Sequence, residues 1–252
     1  MLKYEHVNVA VSRTNILNDI NITFPKGQIT TIIGPNGCGK TTLLQCLNGC
    51  SKVTAGTITV DNENILSLPL KERAKRIAFL PQIRTVLPVL PVRTLVEHGR
   101  FPYLGFTRRK TDKDNEIVNN SMEFTNVMPY SEDNADTLSG GIRQRVFFSM
   151  ILAQDSRIII MDEPVTYLDL EGKRTFFSMV NKLKKSGKTI ILVLHDLSDA
   201  IRISDNLVIM NDRKIAISDT PANCLKTHII EDVFHTTYKK FSDDEGDYYI
   251  FM

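Results

Sequence analysis

No apolar run in this chain approaches the ~20 residues that a bilayer-spanning helix needs. The opening residues, Met1-Leu2-Lys3-Tyr4-Glu5-His6, lack the basic start and apolar core of a secretory signal. A cytosolic location is therefore expected, and any tie to a membrane has to run through a partner. Neither sign of charge is in excess: 31 basic against 29 acidic side chains leave a formal +2, so nothing singles out nucleic acid as the principal partner. Cysteine is scarce as well. Cys46 and Cys50 sit four apart on an expected helix, with no second pair or nearby histidine to complete a zinc site. Together with Cys38 and Cys224 they are expected to be small buried thiols, since cytosolic thiols stay reduced. There is no internal repeat, low-complexity tract or long linker. What is present is ordinary for a globular protein: 252 residues, 42% hydrophobic and 24% charged, enough for one large α/β domain or a domain with an inserted subdomain.

Short strand-type runs come first, Tyr4 to Val9, Ile16 to Phe24 and Gln28 to Ile33. Lys40 to Leu47 suits a helix closed near Gly49, followed by a strand Thr57 to Val60, a charged helix around Leu70 to Lys75 and a strand Ile77 to Leu80. Pro81, Pro88, Pro91 and Pro102 break up the next stretch, and Thr111 to Asn126 reads as helix. Asp155-Ser156-Arg157 stops a further helix just before the apolar run Ile158 to Met161. Helix Leu170 to Lys185, strand Thr189 to Leu194, and short strands Asn206 to Met210 and Lys214 to Ser218 lead to a C-terminal stretch containing Pro221. Strands alternating with helices predict an α/β fold with a largely parallel core sheet, and the early run of strands adds an antiparallel portion. Arg108, Arg109, Lys110 and Lys113 form a basic patch that reads as a solvated face.

Gly34-Pro35-Asn36-Gly37-Cys38-Gly39-Lys40-Thr41 matches G-x-x-x-x-G-K-[ST] between an expected strand and an expected helix. Glycines let the backbone turn several N–H groups into one concavity, and the following helix adds roughly half a positive charge at its N-terminus. Lys40 is placed to neutralise β- and γ-phosphates, and the Thr41 hydroxyl can ligate Mg²⁺.

The run Arg157-Ile158-Ile159-Ile160-Met161-Asp162-Glu163-Pro164 is an apolar strand ending in two carboxylates. Buried charge is costly unless compensated, and strand-end carboxylates facing a phosphate cradle are suited to hold a metal and a water. Asp162 is assigned to the metal. Glu163, one residue on and pointing the other way, is the candidate general base. His195 ends another apolar strand and reads as a γ-phosphate sensor that also orients the attacking water.

With these pieces in hand, the sequence resembles the ATP-binding cassette (ABC) ATPases over residues ~2 to ~220, with their motifs in order. Gly34 to Thr42 looks like Walker A, and Gln82 like the Q-loop glutamine. Leu138-Ser139-Gly140-Gly141 resembles the signature, Ile158 to Glu163 the Walker B segment, Leu168-Asp169 the D-loop, and His195 the switch histidine. The resemblance implies one P-loop NTPase domain over 1–252, with an antiparallel β subdomain and a helical subdomain at approximately 83–153 inserted in the core. It implies ATP and Mg²⁺ as cofactors. Pro35, Asn36, Cys38, Thr42 and the three loop glycines would line the nucleotide, Thr41, Gln82 and Asp162 the metal, and Lys40, Gln82, Glu163 and His195 the reaction.

Ser139 can cap the helix that starts at the signature, and Gly140 and Gly141 let backbone N–H groups approach a phosphate. The family directs that helix end at ATP held by the Walker A loop of the opposite subunit, so two nucleotides are sandwiched between two cassettes; Asp169 of the D-loop is a further nucleotide-binding residue. A homodimer is the implied state. Its other partners are integral membrane permease subunits and, indirectly, an extracytoplasmic solute-binding protein, which puts the chain at the cytoplasmic face of the cell membrane as a peripheral subunit. The run Glu97-His98-Gly99-Arg100-Phe101-Pro102-Tyr103 and an aromatic, Tyr167, before Leu168-Asp169 resemble cassettes of iron–siderophore, haem and cobalamin importers. An importer for another metal or small solute, a soluble non-transport ABC ATPase acting in assembly or translation, and a nucleotide-binding regulator are the alternatives. The presence of both Glu163 and His195 speaks against the last, because binding alone needs neither. The short stretch from Gln82 to Leu138 excludes the long coiled-coil insertion of chromosome-organising relatives.

This chain departs from the family pattern at three places. Ile142 follows Gly141 where glutamine is usual, Val165 stands for a common threonine, and Val11 falls where many relatives place an aromatic under the adenine. On the scale of base–aromatic stacking, losing that ring costs ~1–3 kcal/mol. None of the three removes a phosphate, metal or water ligand, so activity is expected.

Overall fold

The computed structural model describes residues 1–11, 14–82, 89–105, 109–166, 168–243 and 246–252. Arg108, Pro88 and Tyr167 lie outside the described residues. From the N-terminus the elements are β1 (Leu2–Val11), β2 (Thr14–Phe24), β3 (Ile29–Ile33), α1 (Lys40–Asn48), β4 (Val53–Val60) and β5 (Glu63–Asn64). Next come α2 (Leu70–Arg76), β6 (Ile77–Leu80), α3 (Val92–Glu97), α4 (Asp112–Phe124), α5 (Gly140–Ala153), β7 (Ile158–Asp162) and α6 (Leu170–Lys185). Then follow β8 (Thr189–Val193), α7 (Leu197–Ile203), β9 (Asn206–Asn211), β10 (Lys214–Asp219), α8 (Pro221–Lys226), α9 (Ile229–Phe234), β11 (Tyr238–Asp243) and β12 (Gly246–Phe251). Among the described residues no helix is long and apolar enough to cross a membrane. The chain divides into two compact units, Met1–Leu68 with Gly187–Met252, and Pro69–Ser186.

In the first unit β1 runs antiparallel between β2 and β4. Its alternation buries Leu2, Tyr4, Val7 and Val9 on one face, the pattern of a half-buried strand. Both β1 and β2 are longer than their apolar cores, because the ladder carries polar ends along: Ala10 pairs with Asn15 and Val11 with Thr14. For the same reason β4 starts at Val53 rather than Thr57. Ala55 and Gly56 are poor strand formers, yet pairing of Asn8 with Ala55 and Val9 with Val53 draws them in. β3 pairs in parallel with β8 on one side and β9 on the other, and β10 returns antiparallel along β9. Every residue of β3 and β8 is buried, and both consist of apolar and β-branched residues, with Thr30, Thr31 and Thr189 as buried hydroxyls. The α/β class with an added antiparallel sheet is thus the one observed.

The C-terminal stretch holds more than expected. β11 and β12 form a hairpin in which Tyr238 faces Phe251, and Ser198 Oγ on α7 donates to the carbonyl of Tyr249 at 2.6 Å. Cys50 also departs from expectation. α1 ends at Asn48 with Gly49 in the left-handed conformation, so Cys50 lies past the helix and is exposed, whereas Cys38, Cys46 and Cys224 are buried. Burial pushes the Cys46 thiol up to about 12 and Cys224 to about 11, which keeps both protonated and inert.

In the second unit β6 and β7 pair in parallel, Ile77 with Ile158 through Leu80 with Met161. Helices α3, α4 and α5 share a core of Val92, Leu95, Val96, Val118, Met122 and Val146. Prolines do not simply break this region. Pro91, held at φ −56°, is the residue from which α3 starts, and Pro102 sits inside a 3-10 turn, His98–Tyr103. A fixed φ near −65° suits a helix start, where no intrahelical N–H is lost. Arg100 at that turn is buried with Asp114 on α4, Nε to Oδ1 at 2.8 Å, and donates from Nη1 to the carbonyl of Ala153 at 2.9 Å. Thr111 and Asp114 form a reciprocal capping box at the start of α4. Of the basic patch, Arg109, Lys110 and Lys113 are exposed, and Lys110 pairs with Glu97.

Candidate functional site

In the first unit the glycine-rich loop springs from the end of β3. Gly39 has φ +107°, a conformation that side chains resist, and a Cβ there would meet Leu17 Cδ2 at 2.7 Å. At Gly34 a Cβ would lie 2.4 Å from the carbonyl oxygen of Met210 on β9, so the loop's first glycine is demanded by close approach of backbone. Cys38 donates its N–H to Pro35 O at 3.4 Å, closing the turn, while Asn36 and Gly37 stay exposed. α1 begins at Lys40 with Thr41 and Thr42 in its first turn, no acidic residue there and no side-chain cap. Its first N–H groups and the positive end of its dipole therefore face the loop.

Lys40 is only 7% exposed, and its ammonium donates to Gly34 O at 2.7 Å and Pro35 O at 3.0 Å. Among the described residues no carboxylate pairs with it. A nearly buried cation balanced only by carbonyl dipoles, beside a bare helix start, is chemically suited to a polyphosphate. Cys38 contributes no charge, since burial raises its thiol above the ordinary value.

His195 belongs to the same unit. It follows β8, and the parallel register of Ile32 with Val193 brings it to the strand edge from which the glycine loop leaves β3. The side chain is exposed, and the next residue, Asp196, caps α7 by accepting from Asp199 N at 2.9 Å.

In the second unit Asp162 ends β7 and is 2% exposed. Glu163 turns the chain with φ +53°, rare for a residue with a Cβ, and is half-buried. Because Leu80 is in register with Met161, Gln82 emerges at the same strand edge, and its Nε2 donates to Glu163 Oε2. The structure thus brings Gln82 and Glu163 together. Among the described residues no group of three or more His, Cys, Asp or Glu side chains is arranged to hold a metal ion.

The segment at the start of α5 differs from expectation in one respect. Ser139 occupies the N-cap position with extended backbone (φ −63°, ψ 157°), and its carbonyl accepts from Arg143 N at 2.9 Å, but its hydroxyl makes no capping bond. Ser139 and Gly140 are exposed, so the helix N–H groups there face outward. Ser139, Gly141, Ile142, Leu168, Asp169 and Phe176 line a cavity of about 380 Å³. Asp169 caps α6, its Oδ1 accepting from Gly172 N at 2.7 Å. Ile142 packs against the core shared by α3, α4 and α5. Val11, at the suggested adenine position, is 56% exposed.

Two contacts were not foreseen. Gln144 Nε2 donates to Pro164 O at 2.8 Å in a buried bond, tying α5 to the turn that carries Glu163. Thr166 Oγ1 lies 3.2 Å from Glu163 O and 3.5 Å from Glu163 Oε2. Neither had a signal in the sequence, because α5 has no single apolar face from which an inward position of Gln144 could be read.

Known proteins fit this arrangement. The sequence profile of the family described as ABC transporter matches residues 17–166. The petrobactin import ATP-binding protein FpuD of Bacillus anthracis is 38% identical over 92% of this chain and 86% of its own length. The iron(3+)-hydroxamate import ATP-binding protein FhuC of Bacillus subtilis (strain 168) is 36% identical over 92% of this chain and 87% of its own. Among solved structures, the dimeric structure of MJ0796, a bacterial ABC transporter cassette, superimposes with a TM-score of 0.78 at 25% identity, covering 88% of this chain and 99% of that one.

Proposed function

Since the chain belongs to the ABC transporter family as one of its ATPases, we propose that it energises an importer of iron chelates of the siderophore class, or of haem or cobalamin, working as a dimer beneath membrane permease subunits. Lys40 carries the ATP assignment: a nearly buried ammonium held by Gly34 and Pro35 carbonyls at the mouth of α1. The names of the petrobactin and hydroxamate relatives support the chelate class.

In this reading the loop from Gly34 to Gly39 and the amides of Lys40, Thr41 and Thr42 hold the phosphates, and Lys40 exchanges its carbonyl partners for phosphate oxygens. Thr41, Gln82 and Asp162 offer only oxygen donors to a metal, the hard set that suits Mg²⁺. A bound Mg²⁺ would neutralise phosphate charge. Glu163 takes a proton from the attacking water, and His195 senses the terminal phosphate. Ser139, Gly140, Gly141 and Asp169 serve the nucleotide of the opposite cassette. Residues 1–252 act as a single cassette, with the permease docking near Gln82.

The test is uptake of radiolabelled ferric siderophores by cells deleted for this chain. Complementation with the parent should restore uptake and Lys40→Ala should not; undiminished uptake of ferric chelates, haem and cobalamin in the deleted cells would remove the importer assignment. A second experiment addresses the shared site. Ser139→Arg and Lys40→Ala are each expected to abolish hydrolysis as homodimers, whereas a mixed dimer regains one working site, because the intact Lys40 of one subunit meets the intact Ser139 of the other. Absence of hydrolysis in purified mixed dimers would sink closure in trans.

A further inference from the structure

Glu163 sits in a conformation that costs energy. Left-handed backbone in a residue with a Cβ is disfavoured and persists only where neighbours hold it. Here φ is +53°. The turn that contains it runs from the buried end of β7 through Pro164 and Val165, both buried, to the exposed Thr166. Val165 has no hydroxyl, so the nearest one downstream belongs to Thr166. That hydroxyl lies 3.2 Å from the carbonyl oxygen of Glu163 and 3.5 Å from its Oε2. One proton is shared between the two acceptors in a three-centre bond, which couples the strained backbone of Glu163 to the direction of its own carboxylate. Gln82 donates to the same Oε2 from the other element of this strand edge. Both Gln82 and Thr166 thus bear on the same carboxylate oxygen.

We propose that Thr166 is a positioning residue for Glu163, its hydroxyl setting both the turn and the rotamer in which the carboxylate meets the attacking water. This rests on the assignment of Glu163 as the base. A γ-methyl in place of the hydroxyl keeps the shape and β-branching of the side chain but gives the carbonyl and carboxylate no donor, so the carboxylate loses the anchor that Thr166 supplies. Displacement of a reacting group by about 1 Å is enough to cost up to ~100-fold in rate.

The experiment is steady-state ATP hydrolysis by the full-length dimer with Thr166→Val and Thr166→Ser, beside Glu163→Gln. Thr166→Val is expected to lower kcat roughly 10- to 100-fold with the KM for ATP unchanged, while Thr166→Ser keeps the parental kcat. The KM-against-kcat split separates positioning from nucleotide binding, and rescue by serine separates the hydroxyl from loss of fold. If Thr166→Val misfolds, Thr166→Ala, with its thermal unfolding measured alongside, takes its place. Parental kcat in the valine and alanine variants overturns the proposal, and so does an equal loss in valine and serine. The two assignments fail separately: hydrolysis by Glu163→Gln at the parental rate removes the base, whereas its loss with Thr166→Val at the parental rate removes only the role of Thr166.

Discussion

Glu163→Gln is expected to bind ATP as the parent does and to hydrolyse it roughly 100- to 10,000-fold more slowly, the usual share of a general base. Binding survives because the proposed phosphate contacts come from the loop and first turn around Lys40, not from Glu163. The substituted amide has the shape of the carboxylate and its oxygen can still accept from Gln82 and Thr166, so the turn at φ +53° is kept. What it lacks is a lone pair basic enough to take a proton from water at neutral pH. With closure intact and hydrolysis blocked, the variant should accumulate as an ATP-bound dimer, eluting earlier than the parent on size exclusion in the presence of Mg²⁺ and ATP. Phosphate release at the parental rate would show that another group activates the water.

The second large effect concerns stability. Arg100→Met removes one partner of a buried ion pair, and such breaks cost about 3–5 kcal/mol because the other charge is left uncompensated. Arg100 is 4% exposed and Asp114 6%, so neither charge can fall back on water. The guanidinium also lies 4.0 Å from the centre of the Tyr103 ring and bonds Ala153 O, joining the 3-10 turn, α4 and the end of α5. For a protein of this size the loss amounts to a drop in Tm on the order of 10 °C, at 2–4 °C per kcal/mol. Calorimetry on the parent and the variant decides it; an unchanged Tm would mean that the pair contributes nothing net.

Acid should act at the same place. Burial alone would raise the Asp114 carboxyl, but bonds from the Thr111 hydroxyl and N–H and from Arg100 outweigh it and hold the carboxyl below its usual range. A carboxylate whose folded pKa is depressed stabilises the fold above its unfolded value, near 4, and that contribution is lost as pH falls through the lower folded value. Asp114→Asn should therefore flatten part of the decline in parental stability on the acid side of pH ~4.

Much of this could be read from residues alone because the signals were local. β3, β7 and β8 are buried throughout, so their sequences are apolar or β-branched save for Asp162 at the end of β7, and the glycine spacing between β3 and α1 carries its own steric logic. What escaped depended on contacts between distant positions. α3 was hidden by prolines that read as breakers but include its starter, and the early start of β4 comes from its partner strand. The hairpin of β11 and β12 lies in a charged stretch, Lys239 to Asp247, whose strand character comes from pairing. Cys50 was placed on α1 by spacing, but Gly49 turns the chain one residue earlier. The bond from Gln144 to Pro164 joins residues 20 apart, and no periodicity could announce it.

Ile142 sets a limit on protein engineering. Replacing unusual residues by those their relatives prefer is a common route to stabilisation, and position 142 would be an early choice for glutamine. Its half-buried side chain is packed against the core shared by α3, α4 and α5, so the change would press an amide onto an apolar surface and withdraw a branched hydrocarbon from it. Consensus design would weaken this protein at the one signature position where it looks most in need of repair.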